Sequence, residues 1–148
     1  MFKVPTGMDS LGKPIVTGFK SDKMRYSCES KGCYYDQLPD WSDINNSFPG
    51  DIRPTDIDGM VEINGHVLFL EQKGIGAPVT GGQARAFRAL SAKPNITVVV
   101  MRPGTKFEME TLFYVDGHGT GWKPMYRSDL LAWFEVWSDH AKAVEGAA

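Results

Sequence analysis

Asn64-Gly65 separates two strand-like runs, Asp56 to Ile63 and His66 to Lys73. Asn-Gly is the preferred pair for a two-residue type I′ turn, because both central residues must take φ > 0. The chain is therefore expected to double back here as a tight antiparallel hairpin. If Ile63 and His66 flank the turn, every facing pair has residue numbers that sum to 129. That arithmetic fixes which side chains meet across the hairpin.

It sets Asp58 opposite Glu71 and Asp56 opposite Lys73. Like charges directly across a ladder destabilise it, so two facing carboxylates call for a compensating cation. A hard divalent ion such as Mg²⁺ suits oxygen ligands. Lys73 lies two residues beyond Glu71 and shares its sheet face, while Gln72 lies on the other. This is the layout of a metal-dependent phosphodiesterase site. Asp58 and Glu71 would hold one or two ions, polarising a phosphoryl oxygen and lowering the pKa of a bound water. Lys73 would orient the attacking water or stabilise charge on the pentavalent phosphate. The competing reading is a Glu/Lys pair on a surface strand. Asp56 would pair with Lys73 or join the metal shell. Glu62 shares the face of Asp58 but lies roughly 13 Å nearer the turn, at about 3.3 Å per residue, and is expected to face solvent. His66, beside the turn, reads as a surface residue.

Along the rest of the chain, residues 1–21 read as an irregular arm or short edge strand. Residues 22–37 read as a short helix stopped near Gly32, and the Pro-, Asp- and Asn-rich stretch 38–55 as loop. Residues 74–82 (Gly-Ile-Gly-Ala-Pro-Val-Thr-Gly-Gly) lack dinucleotide-loop spacing and read as a mobile loop beside the site. A helix is expected at 81–92, with Arg85 and Arg88 on its more exposed side. Gln83 has two compatible roles. It closes a capping box with Thr80, or points from the first turn toward the carboxylates as a site residue. The apolar, β-branched run 95–102 is a buried strand, 109–115 another, and 116–121 a turn. Ser128 is expected to cap a last helix to about residue 143, its apolar stripe being Leu130, Phe134, Trp137 and Ala141. The order (helix)–β–β–α–β–β–α specifies an α/β domain with a mixed central sheet and flanking helices, in two or three layers. The crossover over 66–102 should make its strands parallel.

The chain has 148 residues, a length that suits a single domain over 1–148 with the motif-bearing core at 56–102. Its net charge of −2 hides a segregation. Residues 29–71 hold nine acids and two bases, whereas 72–107 hold no acid and six bases: Lys73, Arg85, Arg88, Lys93, Arg102 and Lys106. A basic block beside an acidic hairpin suits a polyanion that meets both a metal cluster and a cationic flank; a solvated helix face explains it equally well. Arg85, Arg88 and Lys93 are the candidate nucleic-acid contacts. No apolar run approaches the roughly 20 residues of a membrane span, and the first residues lack the apolar stretch of a signal peptide, so no membrane partner and cytoplasmic residence are expected. Cys28 and Cys33 are read as two partly buried thiols; a zinc site built on them is the minor alternative, since it would need two more ligands.

Asp58, the Glu71-Gln72-Lys73 triplet on the next strand, and a following helix that opens with Gln83 together resemble the PD-(D/E)xK nuclease superfamily. The resemblance covers residues 56–90. Glu-x-Lys alone is a weak motif; its combination with hairpin, opposed Asp, crossover helix and apolar strand is the specific part. It implies a restriction-endonuclease-like core and a Mg²⁺- or Mn²⁺-dependent nuclease acting on DNA in a bacterial or phage-infected cell. Asp58 and Glu71 would be ligands and Lys73 catalytic. Small members include Holliday-junction resolvases, stand-alone VRR-NUC nucleases and phage endonucleases. The Pro-Asp of the motif name is not literal here, since Pro54 precedes Asp58 by four residues. The further acid that many members supply from an N-terminal helix has Glu29 as its best-placed counterpart. A junction-cutting role would require a homodimer, with the Trp133/Trp137 helix as the contact. The alternative is a catalytically silent nucleic-acid binder, or a protein that blocks a host factor, on the same fold.

Overall fold

The computed structural model describes residues 41–143 together with Gly7–Met8 and Pro14–Ile15. Glu29, Cys28, Cys33 and the helix expected over 22–37 lie outside the described residues. The chain divides into two compact units, Met1–Ile52 and Arg53–Ala148. In the first, β1 (Gly7–Met8) pairs antiparallel with β2 (Pro14–Ile15). A four-residue helix, α1 (Ser42–Asn45), interrupts the expected loop; the Ser47 hydroxyl donates to the Asp43 carbonyl and ties down its end.

The second unit is α/β and carries a six-stranded mixed sheet. Its strands are β3 (Gly59–Ile63), β4 (His66–Gln72), β5 (Ile96–Pro103), β6 (Met109–Val115), β7 (His118–Gly119) and β8 (Lys123–Met125). The helices are α2 (Gly81–Ser91) and α3 (Arg127–Ala143). The sheet order is β3-β4-β5-β6-β7, with β8 also paired to β6. The β4–β5 pair is parallel and every other pair antiparallel.

The hairpin has the expected register: Ile63 faces His66 and Gly59 faces Leu70. Asn64 and Gly65 have φ of 51° and 78°, the left-handed pair that a type I′ turn needs. Asp116 and Gly117 repeat the device at φ of 51° and 79°. The turn expected over 116–121 is therefore tighter, and β7 pairs straight back onto β6. Gly119 is required there, since a Cβ would sit 2.8 Å from the Tyr114 ring.

Strand parity sorts the core into two layers. Leu68, Val99, Met109 and Phe113 pack on one face against Leu130, with Trp133, Phe134 and Trp137 of α3 beside them. Phe69, Val98, Val100, Leu112 and Tyr114 pack on the other against Phe87 and Leu90 of α2. The molecule's second unit thus has helix, sheet and helix layers. Val98, Val99 and Val100 are all fully buried, as a strand covered on both faces must be. Trp133 and Trp137 are turned into this core, and Trp133 lies 4.9 Å from the Phe113 ring. Both stay only partly buried.

Two local expectations change. Ser128 does not cap α3, which begins one residue earlier; the Glu108 carboxylate accepts the Arg127 amide at 3.2 Å instead. That cap comes from 19 residues away, beyond the reach of a local pattern. His66 is buried, 7% exposed, rather than on the surface. It falls on the α3 face of β4, where the end of α3 covers it: its ring meets His140 edge-on at 5.6 Å, and the Asn64 side chain donates to the Ala141 and Lys142 carbonyls.

Candidate functional site

Glu71 and Lys73 continue the α2 face of β4 beyond Phe69, at the carboxyl end of the parallel pair. Ligands of open α/β sheets gather at such ends. The carboxylate of Glu71 is 5% exposed as a residue, and its Oε1 lies 3.0 Å from the Lys73 ammonium. Gln83 joins both. Its amide nitrogen donates to Glu71 Oε1 at 3.0 Å, and its amide oxygen accepts from Lys73 Nζ at 2.5 Å. The same residue completes the capping box, its backbone N–H donating to Thr80 Oγ1 at 3.3 Å. Both roles expected of Gln83 therefore coexist, and the start of α2 is tied directly to the Glu71–Lys73 pair.

Asp58 stands just before β3 and is exposed. Its Oδ2 accepts the Gln72 amide at 2.7 Å. The amides of Val67 and Lys73 point to the β5 side, so that of Gln72 points to the β3 side. The Asp58 carboxylate there replaces the carbonyl that would have continued the ladder. Asp58 and Glu71 therefore close the same end of the hairpin, each held by donors. The cation that the facing carboxylates call for is supplied to Glu71 by Lys73. Asp56 is exposed, and the expected Asp56–Lys73 pair does not form, because the Lys73 ammonium turns to Glu71. Glu62 is solvent-facing as expected and steadies the turn by accepting the Gly65 amide at 2.7 Å.

One atom of this cluster is left over. Glu71 Oε2 is buried and has no hydrogen-bond partner among the described residues. An unpaired buried carboxylate oxygen is costly and marks where a donor or a cation would be accepted. Among the described residues, no three His, Cys, Asp or Glu side chains come together as a ligand cluster. Mg²⁺ does not need one: it is commonly held by one or two carboxylates, with waters and substrate phosphates filling the octahedron. Glu71 Oε2 is a hard oxygen donor of the kind such an ion accepts.

Arg85, Arg88 and Lys93 are all exposed, on α2 and just beyond it, without ion-pair partners among the described residues. Arg102 has a role the sequence reading missed. The next step of the β4–β5 register sets it beside Lys73, on the same face. Its guanidinium donates to Glu110 Oε2 at 2.7 and 3.1 Å and to the Ala77 carbonyl at 2.7 Å, and stacks 3.8 Å over the Trp122 ring. The loop read as mobile is thereby anchored at Ala77. The available signal was an arginine two residues beyond Val100, where the apolar α2 face of β5 turns polar in step with Glu71 and Lys73.

Among the described residues, no helix is long and apolar enough to cross a membrane. Comparison with known protein families, curated proteins and solved structures gave no match.

Proposed function

We propose that the protein is a Mg²⁺- or Mn²⁺-dependent DNA nuclease of the PD-(D/E)xK kind, with a restriction-endonuclease-like core. The observation that carries this reading is the Glu71–Lys73–Gln83 cluster around the buried Glu71, whose Oε2 has no partner among the described residues. Asp58 and Glu71 would hold the metal; once bound, it supplies a polarised phosphoryl oxygen and an acidified water. Lys73 presents its ammonium beside the reacting phosphate, where a fixed positive charge stabilises developing negative charge. Gln83 positions both charged groups by grasping each with one end of its amide. Arg85, Arg88 and Lys93 supply sequence-independent phosphate contacts.

A silent DNA-binding or host-factor-blocking protein is the second reading. It draws on the neutralisation already present: Lys73 and Gln83 satisfy Glu71 Oε1, and the Gln72 amide satisfies Asp58 Oδ2. Linear, nicked, branched and single-stranded DNA incubated with Mg²⁺, Mn²⁺ or EDTA separates the two. Metal-dependent cleavage is expected, lowered about a hundredfold or more by Glu71→Gln, Asp58→Asn or Lys73→Ala. A folded protein that cuts none of these substrates with either metal refutes the nuclease reading. Cleavage that survives all three substitutions puts the chemistry elsewhere.

A further inference from the structure

A cavity of about 330 Å³ opens at the carboxyl end of β4 and β5, on the α3 side of the sheet where Met101 and Met109 lie, with Lys73 at its edge. That volume lies in the range of small-ligand pockets. Its lining is mixed. The side chains of Met101 and Met109 give soft, polarizable walls that suit an aromatic ring. Glu108 and Arg127 also line it. The charges are not equivalent. Lys73 and Arg102 each have a carboxylate partner, whereas the exposed Arg127 guanidinium has none among the described residues. It is the cation of this cavity that is open to a phosphate.

Phe107 and Tyr126 each precede one of those lining residues, Glu108 and Arg127. Their rings stack on each other, 4.5 Å between centroids and 38° apart, yet they remain 40% and 53% exposed. Two large rings left in water beside an unpaired arginine are what a single strand requires: a flat surface for a base and a cation for the backbone. A duplex, whose bases are already stacked, cannot use the rings.

We propose that this cavity and the Phe107–Tyr126 platform bind an unstacked nucleotide of single-stranded DNA. The substrate's cut strand would then be single-stranded or frayed at this point. The inference rests on the nuclease reading for its place beside Lys73, but its test does not use cleavage. In EDTA, fluorescence anisotropy of a labelled single-stranded deoxyoligonucleotide is compared with a duplex of the same sequence. The single strand is expected to bind about tenfold more tightly. Tyr126→Ala and Arg127→Ala should each weaken single-strand binding about fivefold or more, and Arg127→Ala should also flatten its salt dependence by about one phosphate contact. Both positions are exposed, and circular dichroism confirms that the variants fold. Equal binding of duplex and single strand, or insensitivity to both substitutions, overturns the inference. Single-strand binding with no cleavage in Mg²⁺ or Mn²⁺ supports it while removing the nuclease reading; duplex cleavage without single-strand preference does the reverse.

Discussion

Strand β4 carries a buried polar residue near each end, and among the described residues each leaves one atom without a partner: His66 Nδ1 at the turn end and Glu71 Oε2 at the open end. The two situations are physically different. A stranded imidazole nitrogen forgoes a single hydrogen bond, whereas a stranded carboxylate oxygen forgoes the stronger hydration of an acid group. At the turn end the burial has a structural cause. Asn64 fastens the hairpin to the last carbonyls of α3, and that docking covers His66. At the open end a whole network is assembled around the stranded group: Lys73, Gln83 and the start of α2. A fold that only needed a strand end would place an apolar residue there. The asymmetry is why one end is read as scaffold and the other as site.

The largest expected effect breaks the open end alone. Lys73→Met leaves Glu71 as a buried anion with only the Gln83 amide, and stability should fall by about 3 kcal/mol, in line with losing one partner of a buried pair. Urea unfolding measures it. Adding Glu71→Gln, which removes the stranded charge, should restore most of the loss. A double variant as unstable as the single one would mean that the pair is not coupled, and would make Glu71 a bystander.

At the turn end the corresponding change is Asn64→Ala. Alanine must adopt φ near 51°, a left-handed conformation that costs roughly 1–2 kcal/mol for most residues, and it loses the donors to the α3 carbonyls. The expected loss is about 2 kcal/mol of unfolding free energy, with cleavage and DNA binding unchanged per folded molecule. Asn64→Gly, which relieves the backbone but not the lost cap, should fall between the two. If Asn64→Ala impaired activity as strongly as Lys73→Met, the division of β4 into scaffold and site would collapse.

These two ends also differ in how far they could be read from sequence. The hairpin was fully legible, since Asn64-Gly65 determines a turn type, the turn type determines a register, and the register runs out to Leu70 opposite Gly59. The crossover helix, the Val98–Val100 strand and the parallel pairing were legible for the same reason, because period and punctuation are local. So was the sharing of one face by Glu71 and Lys73. What escaped was every feature whose partner is remote. The burial of His66 depends on His140 and Ala141. The cap of α3 comes from Glu108, and the loop anchor is Arg102, reaching 25 residues back to Ala77. Facing carboxylates do not by themselves demand a metal, because donors from neighbouring elements and from the backbone, invisible to pairing across the hairpin, serve Glu71 Oε1 and Asp58 Oδ2.

The smallest expected effect tests the stranded imidazole directly. His66→Leu replaces a buried ring with an apolar side chain and removes an acceptor or donor that has no partner among the described residues. It should leave stability unchanged or raise it by up to about 1 kcal/mol, because deleting an unsatisfied buried group lifts its desolvation cost while keeping its volume. The parallel change at the other end, Glu71→Leu, should instead destabilise the protein, because it strands the Lys73 ammonium in the wall that Glu71 now neutralises. Thermal unfolding of the two variants side by side gives opposite signs if the ends differ as described. A destabilised His66→Leu variant would show that the His66–His140 contact holds the hairpin to α3, and that the turn end relies on its polar group as the open end does.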